Sequence, residues 1–270
     1  QQGTWIPTTP IYHLRKGAFF LNPEGIASEK LPESPLKLSA KVPEKRPYPE
    51  ALKALPEMRP PAVWMPYNKM GRSGTDLATC DAGGKFGPFD GQMFVAEFTD
   101  AKISRVFMEK VDGEYQGACF PFVGGFASGI VRLTFAPDGS LMVGMTSRGW
   151  SSLGTKAYGL QRLRYNGAAP FAIKEMKARP DGFELVFTKP VDVARAGDVA
   201  SYRMTNYTLF YSGAYGSDEI QAAPNAIVSA KVASDGLSVR LKVDGLRELY
   251  IHELHADGVR SAGGEALDHA

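Results

Sequence analysis

The chain has 270 residues and a formal net charge of +2, too small an excess to argue for nucleic acid or an anionic membrane surface as partner. With 44% hydrophobic and 22% charged residues it can bury the core of one large domain or two modest ones. No apolar run approaches the roughly 18 residues that would cross a bilayer, and Gln1 opens the sequence with neither a Met nor a signal peptide, so the chain reads as soluble, without a membrane span, and as processed or cut from something longer.

Glycine, proline and aromatic residues are plentiful, and long Ala, Glu, Lys or Leu runs are missing. That balance predicts short strands joined by turns, an all-β protein. The segment 25–61 is dense in Pro, Lys and Glu and reads as a long surface excursion.

From residue 64 to 165 one plan occurs twice. "TDLATC", then "GQMFVAEFTDAKISRVFM", gives three strands in a row, and "IVRLTFAPDG", then "SLMVGMTSRGWSSLGTKAYGLQRLRY", gives three more. Leu141-Met142-Val143 answers Met93-Phe94-Val95, and residues 160–164 answer 103–107. A strand unit recurring at about 40 to 45 residues is the signature of a β-propeller blade. Beyond Pro170 the repeat stops. "GFELVFTKPVD", "AIVSAKVASDGLSVRLKV" and "LYIHELHADGV" alternate apolar and polar residues around Asp-Gly turns, as sandwich strands do. Tyr250, at the start of a strand, is reminiscent of the tyrosine corner of immunoglobulin-like domains. The expected organisation is a partial propeller over 1–167 and a small immunoglobulin-like β-sandwich over 168–270.

In a blade whose inner strand is first, the loop from the second to the third strand and the approach to the first strand open on the same face. Four such loops converge here, and they supply Lys69, Arg72, Ser73, Glu97, Thr99, Arg148 and Trp150 as candidate ligand-binding residues. Guanidinium and ammonium groups suit an anionic ligand, and an indole suits a ring, so the expected ligand is a sugar or another anionic or polyhydroxylated small molecule. The alternative is that Arg148 and Trp150 plug a channel or pair with a loop carboxylate.

The stretches "PPAVWMPYNKMGRSGTD", "GKFGPFDGQMFVAEFTDAKISRVF", "GEYQGACFPF", "FAPDGSLMVGMTSRGW" and "YGLQRL", with "DGFELVFTKPVD" and "YIHELHADGVRS" in the tail, resemble the glucose/sorbosone dehydrogenase-like propellers of the secreted bacterial branch, which are often fused to cytochrome c modules. The resemblance implies a six-bladed-type fold, a periplasmic or secreted home, and oxidation of a sugar or alcohol with pyrroloquinoline quinone and Ca²⁺ in the full-length protein, electrons passing to a cytochrome. The family's quinone-holding Lys would fall near Thr99, and Arg132 lies inside its strand rather than ahead of it. The family's catalytic His would lie in a blade that this chain lacks, so no residue is singled out as catalytic. A non-catalytic glycan-binding or scaffolding propeller is the competing expectation.

Other motifs carry less. No CxxCH is present, so there is no haem site in this chain, and Cys80 and Cys119 are either one disulfide or two small buried residues. "HELH" puts His252 and His255 on opposite faces of a strand, which no metal pair tolerates. "NYT" at Asn206 is a glycosylation sequon only in a source that glycosylates. Only two to three blades fit before residue 165, so the chain is expected to be an incomplete piece, with blades missing before "QQGTWIPTTP" and a sandwich strand missing after Ala270.

Overall fold

The computed structural model describes residues 4–6, 9–214 and 216–269, and the chain is all-β. A two-residue strand, β1 (Arg46–Pro47), runs into a short helix, α1 (Tyr48–Ala54). Next come β2 (Gly74–Thr79), β3 (Met93–Glu97), β4 (Lys102–Val111) and β5 (Glu114–Val123), which form an antiparallel sheet in chain order. A second antiparallel sheet holds β6 (Ile130–Phe135), β7 (Leu141–Thr146) and β8 (Tyr158–Leu163). The turns follow from their residues: Asp112 and Gly113 both take positive φ, 48° and 86°, as a two-residue hairpin loop requires.

The repeat holds at the level of pairing. Leu77 pairs with Val95 and Phe94 with Arg105 in the first sheet; Leu133 pairs with Val143 and Met142 with Arg162 in the second. Both sheets shift register at the same place, between Gly74 and Asp76 and between Ile130 and Arg132. A β-bulge is a specific feature, so its recurrence marks two sheets built to one plan.

Alternation along each strand gives a sheet two faces. Phe94, Ala96 and Ile103 share one buried cluster with Leu133, Leu141 and Val143, so the first sheet lies against the second. On its other face Val95 and Val106 meet Val63 and Met65 from the segment before β2. Polar bonds pin the seam: the Thr75 hydroxyl donates to the Ile130 carbonyl at 2.7 Å, and the Leu133 amide donates to Asp76 at 2.9 Å.

The remaining strands are β9 (Ile173–Arg179), β10 (Gly182–Phe187), β11 (Arg203–Tyr211), β12 (Glu219–Val232), β13 (Ser238–Asp244) and β14 (Ile251–His255), with a short helix α2 (Val193–Gly197) between β10 and β11. With β1 they form one seven-stranded sheet that curls into half a barrel, in the order β1-β11-β12-β13-β10-β9, with β14 on the free side of β11. The curl runs through β12, whose first half pairs with β11 and whose second half pairs with β13. Leu185, Val239, Leu241 and Val259 are fully buried inside it.

The Pro-rich stretch differs from its expectation. Its first half, the 3₁₀ helix Pro23–Lys30, buries nothing. In the second half Tyr48, Ala51 and Leu55 are fully buried with Phe19, Leu21 and Met58 against Tyr207, Leu209 and Tyr211 of β11. Apolar residues at 48, 51, 52 and 55 make an amphipathic helix, a spacing that the density of Pro, Lys and Glu conceals. Tyr250 also departs from a tyrosine corner: its hydroxyl donates to the Gln221 side chain, and the Arg247 guanidinium lies over its ring at 3.8 Å. Both cysteines are free thiols, hydrogen-bonded to Asp90 and to the Trp64 carbonyl. No helix among the described residues is long and apolar enough to cross a membrane.

One buried cation joins the first and third sheets. Arg105, 2% exposed, donates to the side chain of Gln92, to the Lys174 carbonyl at 2.8 Å and to the Ile173 carbonyl at 2.5 Å. Its guanidinium lies 4.3 Å from the Phe89 ring centroid and 4.4 Å from that of Phe120. Burial lowers its pKa to about 9, so it is charged at neutral pH. Replacing Arg105 with Met should take the guanidinium donor from the Ile173 carbonyl and from the Gln92 side chain and cost about 3 kcal/mol, read as a lower urea midpoint; an unchanged midpoint would show that β9 docks without it.

Candidate functional site

Four loops meet at one end of the first two sheets. The β3–β4 turn at 98–101 is the hub: the Phe98 amide donates to the Ser73 carbonyl at 2.9 Å, and the Thr99 carbonyl accepts from the Leu153 amide at 2.7 Å. The loop from β7 to β8 is closed at its base by the Ser147 amide on the Ala157 carbonyl, 2.8 Å, and held again by the Lys156 amide on the Ala127 carbonyl, 2.8 Å. Its glycines and serines serve this packing. A Cβ on Gly154 would lie 2.3 Å from the Ser128 Cα, so only glycine fits there.

The seven expected residues are not gathered into one pocket. Glu97 is 2% exposed and accepts backbone N–H groups from Arg72 at 3.0 Å, from Ser73 at 2.5 Å and from Asp100. It ties two loops together and has no face to offer a ligand. Ser73 is buried with it. Thr99 contributes its carbonyl to the Leu153 bond. Asp100 pairs with Arg72 at 3.5 Å and Lys102 at 3.0 Å, so the two cations share one carboxylate. Arg148 is exposed, as is Trp150, 61% exposed.

Lys69 turns away to the third sheet. Its ammonium sits 2.8 Å from Glu219 and 2.7 Å from Glu253, 4.7 Å from the centroid of the Tyr207 ring. Burial alone would lower its pKa, but the hydrogen bonds and charges of the two glutamates raise it. Burial likewise opposes the Glu253 carboxylate, and Lys69 overcomes it and lowers that pKa from 4.5. These partners lie 150 and 184 residues from Lys69 in sequence, which no local pattern reveals. A cleft of about 120 Å³ beside the clamp is lined by Lys69, Lys102, Pro121 and His269, among others. It is small against the roughly 300–1,000 Å³ of typical ligand pockets, and Lys69 is the one expected residue on its wall.

A quinone bearing several carboxylates needs unpaired cations. Lys69, Arg72 and Lys102 all carry carboxylate partners, so these residues do not fit the group. No set of three or more His, Cys, Asp or Glu able to hold a metal ion occurs among the described residues. The histidines of "HELH" go separate ways: His252 accepts from the Arg247 amide at 3.4 Å, and His255 lies 3.3 Å from Glu253. Asn206 is 1% exposed, its amide bonded to Asn225 at 2.7 Å, which closes the sequon to glycosylation.

No protein-family description, curated protein or solved structure matches the chain.

The clamp carries a pH signature. Glu253, with a lowered folded pKa, contributes stability above about pH 4.5 that is lost as pH falls through its folded value; Lys69, with a raised one, contributes stability below about pH 10.5 that is lost at higher pH. Lys69→Met should therefore melt below the parent protein at pH 7, with the gap narrowing by pH 3. Thermal unfolding across that range checks it, and a gap independent of pH would rule the clamp out as an ionic one.

Proposed function

We propose that this chain is a non-catalytic, extracytoplasmic binding module of the β-propeller type, followed by a sandwich-like domain, and that its loop face recognises a glycan or another polyhydroxylated molecule. The observation that carries this is Trp150. A loop bonded to two neighbouring segments, at Thr99 and at Ala127, holds an indole out in water two residues from an arginine that has no carboxylate partner among the described residues, and exposing so large an apolar surface costs free energy unless something covers it. An indole face stacks on the apolar face of a sugar ring, and a guanidinium forks to hydroxyls or a carboxylate.

The fold readings have support of the same kind. Repeated register, a repeated bulge and face-to-face stacking suit blades of a propeller, and a β12 strand shared by two halves of a curled sheet suits a sandwich. The quinone-dependent oxidation implied by the resemblance lacks such support, because Lys69, Arg72 and Lys102 already carry carboxylate partners, and no reaction step is derived from it.

Calorimetric titration of the chain with a panel of neutral and acidic oligosaccharides should find a ligand whose affinity falls about tenfold in Trp150→Ala, the ~1.4 kcal/mol scale of one stacked ring. Arg148→Ala should weaken acidic oligosaccharides more than neutral ones. If no saccharide binds, or if binding survives Trp150→Ala unchanged, the loop face is not the site.

A further inference from the structure

We infer that the cleft against Arg105, where the first and third sheets join, is a binding site for one small monatomic anion, chloride in solution. The inference rests on neither the propeller reading nor the glycan reading.

Arg105 is a buried cation whose hydrogen-bond partners are all neutral. A guanidinium carries five N–H groups, and the three hydrogen bonds of Arg105 go to the Gln92 side chain and to the Lys174 and Ile173 carbonyls. Among the described residues no carboxylate forms an ion pair with it. Glu175, the carboxylate whose charge acts on it, is already bonded to Lys177 at 2.9 Å and lies 3.9 Å from Lys174. A charge taken out of water without a counter-charge is costly, and the lowered pKa of Arg105 reflects that cost. With the Phe89 and Phe120 rings against its faces, the approach left to a counter-ion is the edge of the guanidinium.

A cleft of about 20 Å³ is lined by this cation, and Phe122, Pro170 and Ala172 are among the residues that close it. About 10–15 Å³ admits one water, so the space suits a single monatomic ion and excludes sulfate, phosphate and carboxylates. Apolar walls favour chloride over the more strongly hydrated fluoride, and the edges of phenylalanine rings carry the positive part of the ring quadrupole. Asp268 also borders the cleft, but its side chain is 55% exposed and 3.8 Å from His269, so water screens its charge. The larger cleft beside the Lys69 clamp shares Phe122 and His269 with this one and does not qualify, because Lys69 and Lys102 on its wall already have carboxylate partners. Chloride at Arg105 supplies the missing charge where β4 and β5 meet the start of β9, which links the stability of the fold to chloride concentration.

Thermal unfolding of the full chain in potassium chloride, against potassium gluconate at equal ionic strength, is the test, since gluconate is too large for the cleft. The melting temperature is expected to be higher in chloride, by about 3 °C at tenfold excess over the dissociation constant, and to level off as a single site fills. Arg132→Met, which removes an exposed cation bonded to the Val131 carbonyl, should keep this response. Ala172→Leu, which fills the cleft and leaves Arg105 and its acceptors in place, should abolish it. Crystals of the parent chain grown in bromide should show an anomalous peak beside the Arg105 guanidinium, a readout that does not depend on how any variant folds. The inference is overturned if melting follows ionic strength alone, which gives the cleft to water, or if the chloride response survives Ala172→Leu, which puts the anion elsewhere. It is equally overturned if no bromide lies at Arg105, or if bromide lies there in crystals while chloride moves nothing in solution, an adventitious ion only. Saccharide binding through Trp150 is unaffected by any of these results.

Discussion

The start of β9 is tied to the first sheet by a cation that bulk water does not reach. Arg105 is anchored on β4 by its backbone, stacked between two phenylalanine rings, and spends its hydrogen bonds on the carbonyls of Ile173 and Lys174 at the start of β9. Gln92 reinforces it by donating to the Lys174 carbonyl at 2.7 Å. Removing a guanidinium from water is costly, and the structure offsets that cost with three neutral acceptors and two π faces in place of a carboxylate. Its planar fork fits two successive carbonyls, which a lysine ammonium does not match. The docking of β9 on the first sheet thus uses geometry that only one side-chain type supplies.

The parts legible in the sequence were those with local periods. "MFVAE" and "IVRLTF" are short, mostly apolar runs of strand length bounded by turn residues, and the recurrence of such runs at fixed spacing marked the two sheets before any pairing was known. What stayed hidden depends on residues far apart. Glu97 and Lys69 looked like ligand-binding groups because a carboxylate or ammonium in a glycine-rich loop carries no sign of its partners. Glu97 is consumed by three backbone amides and Lys69 by two glutamates of the third sheet. The helix at Tyr48–Ala54 was masked because Pro, Lys and Glu dominate the composition around four well-spaced apolar residues.

The same accounting separates the loop face into two kinds of charge. Cations paired with Asp100 hold loops in place, and exchanging them for a ligand would leave that carboxylate unpaired. Arg148 has no such debt, and it shares its loop with the exposed indole. In the proposed reading, recognition at this face falls to the tip of a loop held at its base, an arrangement in which the contact residues can vary without unfolding the scaffold.

The thiols of Cys80 and Cys119 bear on how the molecule responds to its surroundings. Burial raises both to about 12, so neither forms appreciable thiolate, the species that reacts with oxidants and alkylating agents. With no covalent cross-link between them, the strands hold together through packing and hydrogen bonds alone. Dithiothreitol therefore has no bridge between these two cysteines to cut, and thiol-directed reagents meet two groups held in their protonated form.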